Sequence, residues 1–406
     1  MKNNNTKKNQ QIVHILLLGY VFFIPISIVL SEPLIFFAVP VWLYGVFRQK
    51  RIGDIAQSPF FWPVICFSGM AILSSFFGLY PQTSLLKCYR LFLLCPIFMF
   101  TTDFRNSQKS VEHYLAPFVG LFILGTSCLG IYDIIRVPIQ GAQGGQLYDT
   151  GNMRDPQFYM VSLFFLFSLW GDGFWEKYVY SKYFFLFINL AGIILHFKRG
   201  VWLAFLVSFV LLAGLKRKWS MVLVAVSFVC VLLLLPQTRE RIHLLKEVTT
   251  VETGGRWVLW TQVAPQMLKD HPGGVGFCGI KHEDFLNYSP HIQPGLEHLH
   301  SNVLQIALEV GRIGLCIWLY WMSKVLWVAF KNYVKDYQQK GRVVWLITAC
   351  FVAFSSLLLN GLVEYNFGDS EILMVISFLM GMIGVIHKNA EKPSETQSNL
   401  KNDYEK

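Results

Sequence analysis

Apolar residues in this chain are gathered into runs of roughly 15 to 25 residues, nearly free of charge, which is the length a helix needs to cross a bilayer. Lipid offers no partner for backbone N–H and C=O groups, so segments that cross it must be helices or a closed barrel. A barrel would require short segments of alternating polarity, and the runs do not alternate. Composition agrees: 54% of the 406 residues are hydrophobic and 15% are charged. A soluble chain carries about 25% charged residues. The expected fold class is therefore an all-α polytopic membrane protein.

Twelve spans are expected, at about 12–30, 33–47, 61–79, 84–100, 115–135, 157–170, 183–197, 201–215, 219–236, 303–329, 343–360 and 371–387. They divide the chain into a polar tail (1–11), a block of nine helices (12–236), a large polar loop (237–302), three more helices (303–387) and a second polar tail (388–406). The first run is too long for a signal-peptide core, and Ser31-Glu32-Pro33 is a poor cleavage site, so it is read as a retained span. The net charge of +10 does not point to nucleic acid, because Lys and Arg sit in short clusters between the runs. Arg48-Gln49-Lys50-Arg51, Arg105 and Lys109, Lys177 and Lys182, Lys216-Arg217-Lys218 and the 331–342 stretch all fall on one side. Basic clusters mark the cytoplasmic side, which puts both tails there and the 237–302 loop on the outer side.

A connection of about 65 residues inside a membrane protein is seldom idle. This one holds six of the ten histidines and several aromatic residues. Apolar positions 257, 260, 263, 264, 267 and 268 follow helical spacing, as in an amphipathic helix lying at the membrane surface. Seven of the eight cysteines lie in apolar runs, and Cys278 has no partner on the loop, so no disulfide framework or CxxC metal site is expected. His298-Leu299-His300, even with His291, Glu297 and His282 nearby, lacks the fixed spacing of a zinc site, and no metal or other cofactor is expected.

Charged residues at the outer ends of spans are the candidates for chemistry. Arg199 opens one span and Arg256 opens the amphipathic stretch, both at headgroup depth; an arginine fork suits a phosphate, and an interfacial anchor is the plainer alternative. His300 stands just before the tenth span, where imidazole could act as a base, while Ser301 or Asn302 could cap the helix or contact a substrate. Lys87 and Arg90 lie one turn inside the fourth span and either hold a phosphate or snorkel. Arg154 is a phosphate contact or a plain surface pair with Asp155. Glu364 and Asp369, on the last outer loop, could orient an arginine or an acceptor sugar.

His300-Ser301, nine residues (302–310), then Gly311-Arg312-Ile313-Gly314 resembles the signature of the O-antigen ligase/polymerase superfamily. Lys198-Arg199-Gly200-Val201-Trp202, Thr253-Gly254-Gly255-Arg256-Trp257 and His271-Pro272-Gly273-Gly274-Val275-Gly276 follow in the order usual for it. The resemblance covers about residues 185–385; the N-terminal part matches only in hydropathy. It implies a GT-C-like membrane glycosyltransferase of the bacterial inner membrane. Such an enzyme would transfer a glycan from undecaprenyl pyrophosphate to a sugar hydroxyl of lipid A–core, without metal, with His300, Arg199 and Arg256 catalytic. Partners would be the two lipids and the surrounding membrane, with no nucleic acid, and the chain would act as a monomer. An O-antigen polymerase and a protein O-oligosaccharyltransferase share the superfamily. A lipid-linked sugar transporter is a rival from another class, set back by the missing inverted repeat.

Overall fold

The structure, a computed structural model, describes residues 2–104, 111–144, 154–169, 179–235, 255–290, 292, 296–338 and 343–390. Arg105, Lys109, Lys177, His291, the 237–254 part of the large loop and the tail from 391 lie outside these residues. All regular structure in the described residues is helical. Among the described residues, six helices are long and apolar enough to cross a membrane, and four shorter apolar helices accompany them.

In chain order the first group is α1 (Lys2–Phe23), α2 (Ile28–Arg48), α3 (Ile52–Ala56), α4 (Phe61–Phe76), α5 (Pro81–Lys87), α6 (Cys95–Asp103), α7 (Val111–Gly144), α8 (Asp155–Ser168), α9 (Val179–Leu195), α10 (Arg199–Lys216) and α11 (Ser220–Leu234). Short helices α12 (Arg256–Val258), α13 (Ala264–Asp270) and α14 (His282–Leu286) belong to the large loop. The last three are α15 (Asn302–Gln338), α16 (Val344–Asn360) and α17 (Ser370–Ala390).

Several expected boundaries move, each for a local reason. The first span was expected over 12–30, yet α1 runs from Lys2 to Phe23 and takes in most of the polar tail. It stops before Pro25, which has no N–H to continue the ladder. The chain turns and restarts at Ile28, so α2 begins five residues earlier than expected, with Pro33 and Pro40 inside it. The expected span 84–100 is three pieces, α5, a 3-10 turn over Cys88–Leu94, and α6. A 3-10 stretch of that length within a helix marks a strained position, and Lys87 and Arg90 stand at it.

Helix α17 is almost wholly buried and packs on α6, α15 and α16. Every residue of α8 is buried as well, against α9, α16 and α10. These two helices form the middle of the bundle, which explains why their sequences are apolar all round.

The large loop has a small core of its own. A π turn over Leu259–Val263 joins α12 to α13 and rotates the face away from simple 3.6 spacing. Val258, Leu259, Val263, Ala264 and Met267 are therefore the buried set, packed with Val275, Phe285, Leu299 and Leu308, while Trp257 is exposed.

Helix α15 is broken at Gly311, whose φ of 79° and ψ of 175° only glycine adopts without strain. The break leaves carbonyls without helical partners. The His271–Gly276 turn supplies them: the Val275 N–H donates to the Leu308 carbonyl at 2.9 Å and the Gly276 N–H to the Glu309 carbonyl at 3.1 Å. In return the Arg312 N–H reaches the Pro272 carbonyl at 3.2 Å. Two of the sequence motifs thus meet backbone to backbone. A Cβ on Gly311 would come within 2.6 Å of the Gly273 backbone, and one on Gly274 within 2.6 Å of the Glu309 carbonyl oxygen.

Candidate functional site

The connection between α16 and α17, residues 361–369, gathers the ends of other elements around it. Asn302, first residue of α15, donates its backbone N–H to the Gly361 carbonyl at 2.7 Å. Its side chain accepts from the Phe367 N–H at 3.0 Å and donates to Asn366 Oδ1 at 2.6 Å. Gly200, in the first turn of α10, fits against Asn360 and Val363, so closely that a Cβ would lie 3.2 Å from each side chain. The N-termini of α10, α15 and α17 therefore converge here, each carrying partial positive charge.

Glu364, 8% exposed, is the centre of this arrangement. Its Oε1 lies 3.0 Å from His300 Nδ1, and its Oε2 accepts from Arg256 Nη2 at 3.0 Å. Arg256 also donates Nη1 to the Val363 carbonyl at 2.7 Å, so its fork grips two consecutive residues. Burial alone would push the Glu364 carboxyl up; the hydrogen bond and charge of His300, with the Arg256 guanidinium, outweigh burial and hold it below the usual carboxylate range. The His298 ring lies 4.1 Å from that of His300, and its Nδ1 accepts from the His300 backbone N–H at 3.3 Å. Burial first, then the neighbouring His300 and Arg256, bring His298 down to about 4, with Glu364 opposing.

His300 adopts a left-handed φ of 49°. Phe197, just before Lys198-Arg199, and Cys278 do the same, so three of the five such non-glycine residues in the described chain flank this region. A bulky residue in that conformation costs about 1–3 kcal/mol and persists only where its surroundings over-determine it. At His300 those surroundings are visible. The Leu299 N–H donates to Gln305 Oε1 at 2.7 Å, and the Leu299 carbonyl accepts from Trp260 Nε1 at 2.6 Å.

The remaining candidates fall into distinct places. Arg199 is half-buried at the start of α10, beside the Gly200–Val363 contact. Ser301 is buried, and its backbone carbonyl accepts from Gln305 N–H at 2.9 Å, opening α15. Lys87 donates Nζ to the Cys278 carbonyl at 2.8 Å, while Arg90 reaches Cys278 Sγ at 3.8 Å and the Gly368 carbonyl. Lys87 thus holds the left-handed Cys278 turn, and Arg90 ties that turn to the 361–369 connection. Arg154 pairs with Glu371 and, at 3.8 Å, with Asp155, away from the Glu364 contacts. Asp369 lies next to that pair, its carboxyl raised by burial and by Glu371.

Arg154, Asp155 and Glu371 belong to a second polar centre. Asp133 accepts from Tyr159 Oη at 2.6 Å, meets His196 Nε2 at 2.9 Å and pairs with Arg136 at 2.9 Å. A cavity of about 500 Å³ borders it, lined by Arg136, Arg154, Asp155 and Glu371 with Tyr132 and Phe158.

Two groups among the described residues could take a metal ion, His298–His300–Glu364 and Asp133–Asp155–His196. In the first, Arg256 already neutralises the carboxylate; in the second, Arg136 does. Sequence reasoning saw the two histidines without their carboxylate, because Glu364 is 64 residues from His300. It also passed over Gln305, Glu309 and Tyr365. The available signal was a pair of polar side chains four apart in an apolar helix, which usually has a reason.

Residues 184–319 match the family model described as O-Antigen ligase. The matched stretch carries Arg199, Arg256, His300 and the Gly311 break. Over that stretch, about a third of the chain, the protein is similar to the O-antigen ligase family. A search of the curated proteins found no match. The match suggests the ligase/polymerase superfamily, and the apolar helices suggest a multi-pass membrane protein. Glu364, which meets two of the three matched candidate residues, lies outside the match.

Proposed function

We propose that this chain is an O-antigen ligase that transfers a glycan from undecaprenyl pyrophosphate to a sugar hydroxyl of lipid A–core, at the periplasmic face of the inner membrane. The observation that carries this reading is one buried carboxylate joining His300 to Arg256. With Nδ1 turned to Glu364, the Nε2 of His300 is the nitrogen left to accept a proton from the acceptor hydroxyl. As that oxygen attacks the anomeric carbon, the bond to the pyrophosphate oxygen breaks and undecaprenyl pyrophosphate leaves with the electron pair. Arg256 and Arg199, backed by the converging helix N-termini, stabilise the charge on the leaving group. Arginine takes the part that a divalent cation plays elsewhere, so the proposed reaction is metal-independent. Ser301, Asn302, Lys87, Arg90, Arg154, Glu364 and Asp369 complete the proposed substrate surroundings.

The proposed topology has twelve spans, both tails in the cytoplasm and residues 237–302 as the periplasmic loop, in a monomer. Glycolipid profiles of a deletion strain test the function. Lipid-linked glycan should accumulate beside bare lipid A–core, whereas a single repeat on the core would indicate a polymerase, and unaltered surface polysaccharide would sink both. With purified protein and both lipids, His300→Ala should abolish transfer. Near-normal activity would remove this histidine from the mechanism.

A further inference from the structure

We infer that Glu309 is the positioning residue that sets the geometry of the His300–Glu364 pair. The inference rests on the proposed role of that pair. Glu309 is 1% exposed on α15, two residues before the break at Gly311. Each of its carboxylate oxygens ends a separate chain of hydrogen bonds. Oε1 accepts from Gln305 Nε2 at 2.8 Å, and Gln305 Oε1 in turn accepts from the Leu299 N–H at 2.7 Å. Oε2 accepts from the Tyr365 hydroxyl at 2.9 Å. Leu299 is one peptide before His300, and Tyr365 is one peptide after Glu364. A single rigid carboxylate thus fixes both backbones that present the pair, although they belong to segments 64 residues apart.

The surroundings make this a clamp rather than a loose contact. The Glu309 backbone carbonyl is held by Gly276, and Arg90, reaching Cys278 from the far side, supplies the opposing positive charge. The Tyr365 ring also packs against His298 at 5.8 Å, so moving the hydroxyl would disturb His300's other neighbour too. A buried carboxylate costs free energy to desolvate, which its two hydrogen-bonded partners offset here. Removing the carboxylate alone strands the Gln305 amide and the Tyr365 hydroxyl, which costs stability. Transfer is therefore compared per folded protein, and Glu309→Gln, which keeps both contacts, separates geometry from folding.

Three variants of the full-length purified protein test this: Glu309→Leu, Glu309→Gln and Tyr365→Phe. Glu309→Leu should lower kcat about 100-fold, the scale of a misplacement near 1 Å, with KM for either lipid changed less than about twofold. Glu309→Gln should recover most of it, because one amide can accept from Gln305 and donate to the Tyr365 oxygen. Tyr365→Phe should fall between. Hydrogen–deuterium exchange gives a readout independent of activity: in Glu309→Leu, the Leu299 amide and the 364–366 peptide should exchange faster while the rest of α15 is unchanged. If His300→Ala proved fully active, the catalytic reading would fail while faster exchange would still support the clamp. Unchanged exchange, or activity lost only in proportion to unfolded protein, would overturn it.

Discussion

At the scale of single residues, the region around His300 is held by opposed electrostatic demands. Glu364 is held below the usual carboxylate range despite its burial because His300 and Arg256 share it. His298, one turn of backbone away, stays neutral and accepts the His300 N–H. Both groups make stability fall on the acid side. The folded state keeps His298 near 4 against an ordinary value of 6.5, so it binds fewer protons than the unfolded chain in that window. Its contribution is complete above pH 6.5 and is lost as pH falls toward 4. Glu364, held below its ordinary value, adds a loss at still lower pH. The variant His298→Asn keeps an acceptor for the His300 N–H without the titration. Thermal unfolding in detergent should therefore shift less between pH 7.5 and 5.5 (about one unit either side of the ordinary His value) than in the parent protein; an identical shift would show that His298 is not the group responsible.

At the scale of elements, the break in α15 is what lets the large loop touch the membrane bundle. A straight helix through Gly311 would bond its own carbonyls and leave none for Val275 and Gly276. Gly311→Ala forces a Cβ into a backbone 2.6 Å away at a φ that alanine resists. The expected cost is at least about 2 kcal/mol, combining backbone strain and overpacking. Thermal midpoint and resistance of the 271–301 segment to limited proteolysis should both fall. A variant as stable and as protected as the parent would mean that the junction relaxes freely. The spacing of Gly311 and Gly314 and the Pro272-Gly273-Gly274 turn were legible as motifs. That they fit one another was not, because matching backbones 38 residues apart leave no mark in local periodicity.

At the scale of the whole molecule, the connection at 361–369, the Arg154–Glu371 pair and the starts of α10 and α15 lie at one end of the bundle. The proposed topology puts that end in the periplasm and the α10–α11 turn in the cytoplasm. With the exposed native cysteines replaced, Leu362→Cys should react with a membrane-impermeant maleimide in intact spheroplasts. Lys218→Cys should react only after the membrane is opened. The reverse pattern would invert the molecule and end the periplasmic reading.

What the amino-acid order determined by itself is the class of the protein and the set of motifs. Long apolar runs have one stable answer in lipid, since a helix alone satisfies its backbone locally, and the Arg, His and glycine motifs stand in fixed order along the chain. Most helices were legible within a few residues, failing where a proline, a 3-10 turn or a π turn changed the local geometry. Tertiary structure alone decided which groups meet. Glu364 was one candidate among several outer carboxylates until packing set it against His300 and Arg256, 64 and 108 residues away. Glu309 was passed over in the sequence, and packing alone set its two oxygens against Gln305 and Tyr365, on opposite sides of that pair. The reason is physical: helix formation in lipid depends on neighbours along the chain, whereas a buried polar contact depends on which distant atoms the packed bundle brings within about 3 Å.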